Sequence, residues 1–450
     1  MRHLIACLFL LGTAGILTAT TAAPRALSET PFMLGGIQIN EADQDAWCDA
    51  LVEAGYNTLQ VTTYAVQGDW DSDDLHVDPV DQGTVTKIRA ARAAGLNVVL
   101  VLRLATDHAY ERNRFLWHGL VWPGDPATLD TWFAKYRAYI RQWAEVAQAE
   151  GVTLLGIGSE MNALAATVPV REIPGLENYY LDDKQQEKAT DDIVAASRTI
   201  PSEFVRAPGD AAPADNLRAF ATRKADRLAQ WASAVSFVEA GSERRRVKRI
   251  NARRALQLDH WRRLIAETRA VYHGHLTYAA NFDSYQEVGF WNELDVMGIN
   301  AYFPLREPSE PADLPTLTRG WEDAWDAIAD VQKQRGVPGM PVVFTELGYN
   351  RRAGCTVAPW AWEGFDLIGD EQALMVWDTQ PEAPQERALA MQALQEVNTR
   401  RGGPLAGLLY WKLTTVEDHF NLEAFALKVK PRGDADADPL QKTLLKFLQP

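Results

Sequence analysis

Apolar residues in this chain fall into two alternating patterns, short unbroken runs and spaced stripes. The runs are FMLGGIQI (32–39), TLQVTTYAV (58–66), NVVLVLRLA (97–105), TLLGIGSEMN (153–162), LTYAANF (276–282), DVMGINAYF (295–303), PVVFTELGY (341–349) and LAGLLYWKL (405–413). They are rich in β-branched residues and nearly continuous in apolar character, as in parallel strands covered on both faces. Between them, apolar positions recur at helical spacing. Trp47, Leu51 and Ala54 form one stripe. Trp132, Tyr136, Ile140, Trp143 and Ala147 form a second, and Trp321, Trp325, Ile328 and Val331 a third. Gly55, Gly95, Gly151, Gly274, Gly336 and Gly402 stand just before successive strands. They are predicted helix ends, because glycine takes the left-handed cap conformation without steric cost.

Strand–helix units repeated eight times predict an α/β fold, a closed (β/α)8 TIM barrel. An open doubly wound sheet is the alternative, but no Gly-rich phosphate fingerprint follows the first strand. The expected organisation is one barrel domain over residues 31–450 with a long insertion between the fourth and fifth strands. Within that insertion, residues 163–215 read as polar and irregular and the remainder as helical. The charge run ERRRVKR (243–249) there is expected to be a solvated helix face. Residues 350–383 are expected to form a loop carrying Trp360, Trp362 and Trp377. KPRGDADAD (430–438) is expected to be a solvated loop.

Composition narrows the class. The 450 residues are 47% hydrophobic and 23% charged, as in an ordinary soluble protein. A net charge of −15 argues against nucleic acid and against an anionic membrane surface, and is compatible with a neutral partner such as a sugar. The first 23 residues combine Arg2 and His3, an apolar run from Leu4 to Leu17, and then small residues. This is a signal-peptide pattern, so the protein is expected to be secreted or periplasmic, with no membrane span once the segment is removed. A retained N-terminal anchor is the alternative. Removal leaves Cys48 and Cys355, expected as separate thiols.

The chemistry of such a barrel sits at the C-terminal ends of its strands. GIGSEMN puts Glu160 at the end of the fourth strand, and FTELGY puts Glu346 at the end of the seventh, across the mouth. One glutamate at a strand end is as readily a salt-bridged structural residue. Two facing over one cleft are what glycoside hydrolysis requires: one acid to protonate the leaving oxygen, and one carboxylate to attack or to activate water.

The segments GIGSEMN, LTYAAN, FWNELDVMGINAYFPL and VVFTELGY together resemble glycoside hydrolase family 113, whose known members are retaining β-mannanases of the large clan A of barrel hydrolases. The resemblance runs from the first strand through the eighth. It implies that Glu160 is the general acid/base and Glu346 the nucleophile, with carboxyl groups about 5–5.5 Å apart. Ser159 stands before the acid/base where many clan members have Asn, and Asn300 stands where Asp is common. The substrate so implied is a β-linked polysaccharide or oligosaccharide, with mannan the choice that the family suggests. Two other readings are a carbohydrate-binding barrel without catalysis and a transglycosylase.

Other side chains fit these roles. Tyr302 is placed to hydrogen-bond Glu346, or else is a packed rim aromatic. Asn281 is placed to bind a sugar hydroxyl or steady Glu160. Arg103, inward on the third strand, is placed to fix Glu346 or another acid, and Trp411 to form a flat platform for a pyranose or to fill core. Tyr64, Trp70, Trp117, Trp122, Trp360 and Trp362 lie in or near top-side loops, some as sugar contacts and several as packing. His273 and His275 precede the fifth strand and are expected to be structural. His108, His118 and His419 lie in top-side loops without ligand spacing. Neither a catalytic metal nor any other cofactor is expected, and no serine elbow or Cys/His signature is present.

Overall fold

Each of the eight apolar runs forms a strand in the computed structural model, which describes residues 31–197, 213–360 and 381–449. The expected signal segment, Trp362 and Trp377 lie outside the described residues. The strands are β1 (Met33–Gln38), β2 (Thr58–Gln67), β3 (Asn97–Thr106), β4 (Leu154–Ser159), β5 (His275–Asn281), β6 (Met297–Asn300), β7 (Val342–Leu347) and β8 (Leu405–Thr414). Every neighbouring pair is parallel, and β8 returns to pair with β1, so the sheet closes on itself.

Closure divides the apolar side chains into two layers. Met33, Val99, Val101, Leu154, Ala279, Val296, Val343 and Leu409 fill the inside of the barrel. A larger layer between strands and helices includes Leu100, Leu102, Ile157, Phe344 and Leu347 with the helix stripes. Trp47, Leu51 and Ala54 are buried on helix Gln44–Ala54. Trp132, Tyr136, Ile140, Trp143 and Ala147 are buried on Pro126–Ala149, and Trp321, Trp325, Ile328 and Val331 on Leu314–Gln334. Asp125 and Asp313 cap the last two helices through their side chains, each followed by a proline in the first turn. Trp321 and Trp325 stack on Phe344 at centroid distances of 5.8 and 5.7 Å, clamping β7 from outside.

Gly55, Gly95, Gly151, Gly336 and Gly402 have positive φ, as expected of helix ends. Gly274 does not: its helix, Glu243–Arg269, stops earlier and is capped at Ala270. Between β5 and β6 the connection holds two single-turn 3-10 helices, Tyr285–Glu287 and Trp291–Glu293.

The stretch 163–215, read from sequence as irregular, is partly helical: Asn162–Ala165, Gly175–Leu181, Asp183–Ser197 and the start of Pro213–Ser236. Its residues are polar yet strong helix formers (Glu, Lys, Gln, Ala), so a search for apolar runs passes over them. Tyr180 and Leu181 pack with Leu228 and Trp231 against Trp70, Leu116, Leu120 and Trp122 from the loops after β2 and β3. This is a small second core lying over the C-terminal face of the barrel. Most of the charge run 243–249 is exposed on helix Glu243–Arg269, as expected. Cys48 and Cys355 are buried and not joined in a disulfide. Among the described residues, no helix is long and apolar enough to cross a membrane.

Candidate active site

Strict alternation along β7 would not deliver a carboxylate to the cleft. Val343 faces inward and Phe344 outward, so Glu346 would point into the helix layer. The ladder shows why it does not: Ile299 pairs with Phe344, but Asn300 pairs with Glu346. Thr345 is the additional residue of a β-bulge, so Thr345 and Glu346 both face the barrel axis and Leu347 returns to the outer layer. The same device recurs on β4, where Gly156–Ser159 opposes Thr277–Ala279, and on β8, where Tyr410–Leu413 opposes Gly36–Gln38. The three bulges lie at the strand ends that carry Glu160, Glu346 and Trp411. Glu160 itself has φ of 51°, left-handed for a non-glycine residue. Its backbone is held on both sides: Glu160 N–H donates to the Ala279 carbonyl at 2.9 Å, and Met161 N–H donates to the Tyr278 hydroxyl at 2.8 Å. A Cβ on Gly348 would lie 2.5 Å from the Trp411 carbonyl oxygen, so only glycine lets β7 and β8 approach there.

Arg103 continues the inward row Val99, Val101 and sits at the centre of the site. Its Nη1 donates to Glu346 Oε1 at 2.5 Å, and its Nη2 lies 3.6 Å from Glu160 Oε2. Tyr302 donates its hydroxyl to the other Glu346 oxygen at 3.0 Å. Asn300 Nδ2 donates to Glu160 Oε1 at 2.9 Å and to Ser159 Oγ at 3.3 Å, while its Oδ1 accepts from Thr345 Oγ1 at 2.8 Å. His118 Nε2 lies 3.5 Å from Glu160 Oε2.

One guanidinium therefore reaches both acids, which titrate together. Burial, reinforced by the Glu160 charge, raises the Glu346 carboxyl to about 7 against Arg103 and Tyr302. Burial also raises Glu160, but is outweighed by the nearby His118, the Arg103 charge and the Asn300 amide, leaving it at about 2. Two carboxyls in direct interaction lose their protons in steps that belong to the pair. Between those steps the pair carries one proton.

The acids open onto a cavity of about 870 Å³, within the usual size range for ligand sites. Arg103, Asn281, Tyr302 and Trp411 line it with the two glutamates. Trp411 is half-buried, and the Arg103 guanidinium lies 5.4 Å from its ring centroid. Asn281 faces the cavity but does not steady Glu160: its Oδ1 accepts from Phe282 N–H, and Asn300 holds the acid instead. Trp117 and the 51%-exposed Trp360 line the cavity, whereas Trp70 and Trp122 are packed in the second core. Sequence reasoning missed the approach of His118 to Glu160, and missed Lys224 and the Lys412–Glu423 ion pair (2.7 Å) in these walls. Only the β8 position of Lys412, next to Trp411, carried a sequence signal. Among the described residues, no group of three or more His, Cys, Asp or Glu is arranged to hold a metal.

A closed (β/α)8 barrel with two buried acids at its mouth belongs with the barrel hydrolases. The model of Glycoside Hydrolase Family 113 matches residues 36–168 and 207–381, over half the chain, and the chain belongs to that family and is a glycoside hydrolase. The fold is shared with a GH113 beta-mannanase from Alicyclobacillus acidocaldarius in complex with ManMIm (16% identity, TM-score 0.54, covering 93% of this chain and 98% of that one). It is also shared with a GH113 beta-1,4-mannanase solved as a complex (18%, 0.54, 93% and 99%) and a further GH113 beta-1,4-mannanase structure (17%, 0.55, 93% and 99%). At these identities the likeness is one of fold. No curated protein matches the chain.

Proposed function

We propose that this protein hydrolyses a β-linked polysaccharide or its oligosaccharides with retention of configuration, and that mannan is the first substrate to try. In this reading Glu346 attacks the anomeric carbon while Glu160 gives its proton to the departing glycosidic oxygen. Glu160 then takes a proton from water, which attacks the same carbon and releases Glu346 as a carboxylate. The observation that carries the assignment is the unequal donor set. Glu346 receives Arg103 on one oxygen and Tyr302 on the other, so protonating it would forfeit a charge-assisted hydrogen bond. Glu160 has the Asn300 amide at 2.9 Å, with His118 and Arg103 farther off at 3.5 and 3.6 Å. Double displacement then needs the pair's one proton, which rests on Glu346 in the free site, to move to Glu160 as substrate binds.

The mannan assignment leans on the beta-mannanases of the same fold. The test is Glu346→Gln, which should abolish turnover with folding intact, together with a fluorinated glycoside that should label Glu346 covalently. Undiminished hydrolysis by the variant would sink the assignment. We also propose that the protein acts outside the cytoplasm, with residues 1–23 removed as a signal peptide; the charged start and short apolar run support this. N-terminal sequencing of the exported protein checks it.

A further inference from the structure

A second cavity of about 460 Å³ adjoins the first. Leu120, Asn162 and Asp283 line both, so the two spaces meet at these residues. Asn162 lies two residues beyond Glu160, and Asp283 two residues beyond Asn281. They meet through Asn162 Nδ2 donating to Asp283 Oδ1 at 3.2 Å, while the buried Asn162 Oδ1 has no hydrogen-bond partner. Behind them the chamber holds Glu177 and the ion pair of Arg254 with Glu287, against an apolar wall that includes Val235 and Ile250.

The wall bearing Glu177 is this chain's own. Residues 169–206 fall between the two segments that the family model matches. The second core ties the same insertion to the loops after β2 and β3, so the chamber is a built space.

Its chemistry suits one ligand class. Carboxyl oxygens accept hydrogen bonds, so Asp283, Glu177 and Glu287 suit a ligand rich in donors. The apolar wall calls for C–H surface. A neutral pyranose offers both. The position suits one side of the scissile bond. The acid reaches the glycosidic oxygen, and the sugar beyond that oxygen lies on the β4–β5 side, away from Glu346 on β7 and Trp411 on β8.

We propose that Asn162, Asp283 and the chamber behind them form an additional sugar-binding subsite on the leaving-group side, taking a further unit of the polysaccharide chain. This rests on the glycosidase reading above. Burial raises Glu177 to about 7, so near neutral pH it can also donate to a sugar hydroxyl.

The experiment compares kcat/KM on β-1,4-manno-oligosaccharides of increasing length with that on β-mannosyl fluoride, whose leaving group is a single atom and cannot reach the chamber. A step of about tenfold, roughly 1.4 kcal/mol, is expected at the length that first fills it. In Asp283→Ala and in Glu177→Ala, the ratio of long-oligosaccharide to fluoride rates should fall by about the same factor. Calorimetric binding of the same oligosaccharides to Glu346→Gln, with and without Glu177→Ala, reads the chamber independently of turnover. A tenfold loss of affinity confined to the longer chains supports the subsite even if the catalytic assignment fails. No change in either the rate ratio or the binding overturns it, as does an increment found only when units are added on the side away from the leaving group.

Discussion

Replacing Tyr302 by Phe tests the working half of the mechanism. The substitution keeps the ring, which packs edge-on to Phe425 at 6.4 Å, and removes only the hydroxyl that donates to Glu346 at 3.0 Å. A hydrogen bond to a charged group contributes about 1.5–3 kcal/mol, which at about 1.4 kcal/mol per decade is roughly 10- to 150-fold in rate. The sign follows from where the charge goes. In the first step of the proposed double displacement Glu346 loses its charge as the ester forms, so a missing donor costs that step little. In the second step the carboxylate leaves and regains its charge, so the whole loss falls there. Tyr302→Phe should therefore lower kcat about 10- to 150-fold and lower KM with it, since the glycosyl-enzyme accumulates. A rapid-mixing assay with an aryl glycoside should show a burst of one equivalent, and intact mass should show the adduct. Tyr302 also lowers the Glu346 carboxyl, so the alkaline limb of the variant should move above about 7. A kcat within about twofold of wild type, with no burst, would refute the reasoning.

The proposed mechanism requires the singly protonated pair, so kcat/KM should hold between about 2 and about 7 and fall as pH rises through about 7, when the last proton leaves. An alkaline limb near pH 9, roughly two units higher, would contradict the paired titration. Arg103→Met leaves two buried carboxylates without their cation, at a cost of about 3–5 kcal/mol near neutral pH. Both carboxyls then bind protons more tightly folded than unfolded, so in urea melts the deficit should shrink towards about pH 5 and grow towards about pH 8. Equal deficits at the two pH values would count against this account of the site. Asn300→Ala removes the donor to Glu160 and leaves the Thr345 hydroxyl unpaired, costing about 1–3 kcal/mol of stability. With Glu160 as the acid, its rates should fall more for poor aryl leaving groups than for activated ones. A uniform loss across leaving groups would argue that Glu160 does not protonate them.

Much of this was legible because burial writes itself into composition. The eight staves read as apolar runs since both faces of each are covered. Arg103 showed as an inward position because it keeps step with Val99 and Val101, and Glu160 and Glu346 showed as acids where apolar runs end. The direction of Glu346 was not legible. An alternating pattern cannot announce a bulge, and nothing in VVFTEL distinguishes an inward Glu346 from an outward one. Asn281 and Asn300 were both visible as amides at strand ends, but which one steadies Glu160 depends on a cross-barrel distance. The helix 183–197 was missed because its polar sequence carries propensity without an apolar run, and 175–181 because seven residues are too few to show a helical stripe. His118 was placed in a top-side loop, but its contact with Glu160 was missed because a lone histidine has no pattern until the barrel closes around it.

The three bulges give the barrel a seam between two kinds of constraint. Below them, the inward side chains are fixed by what they pack against. Above them the two-residue repeat is out of phase, and side chains are fixed by what they bond. A change to the lower staves is absorbed as packing and need not turn the acids. Changing the residue count at a seam would turn them at once, with every lower contact left in place. In this molecule the phase of the chain, as much as the identity of its residues, decides whether a carboxylate meets the sugar or the helices.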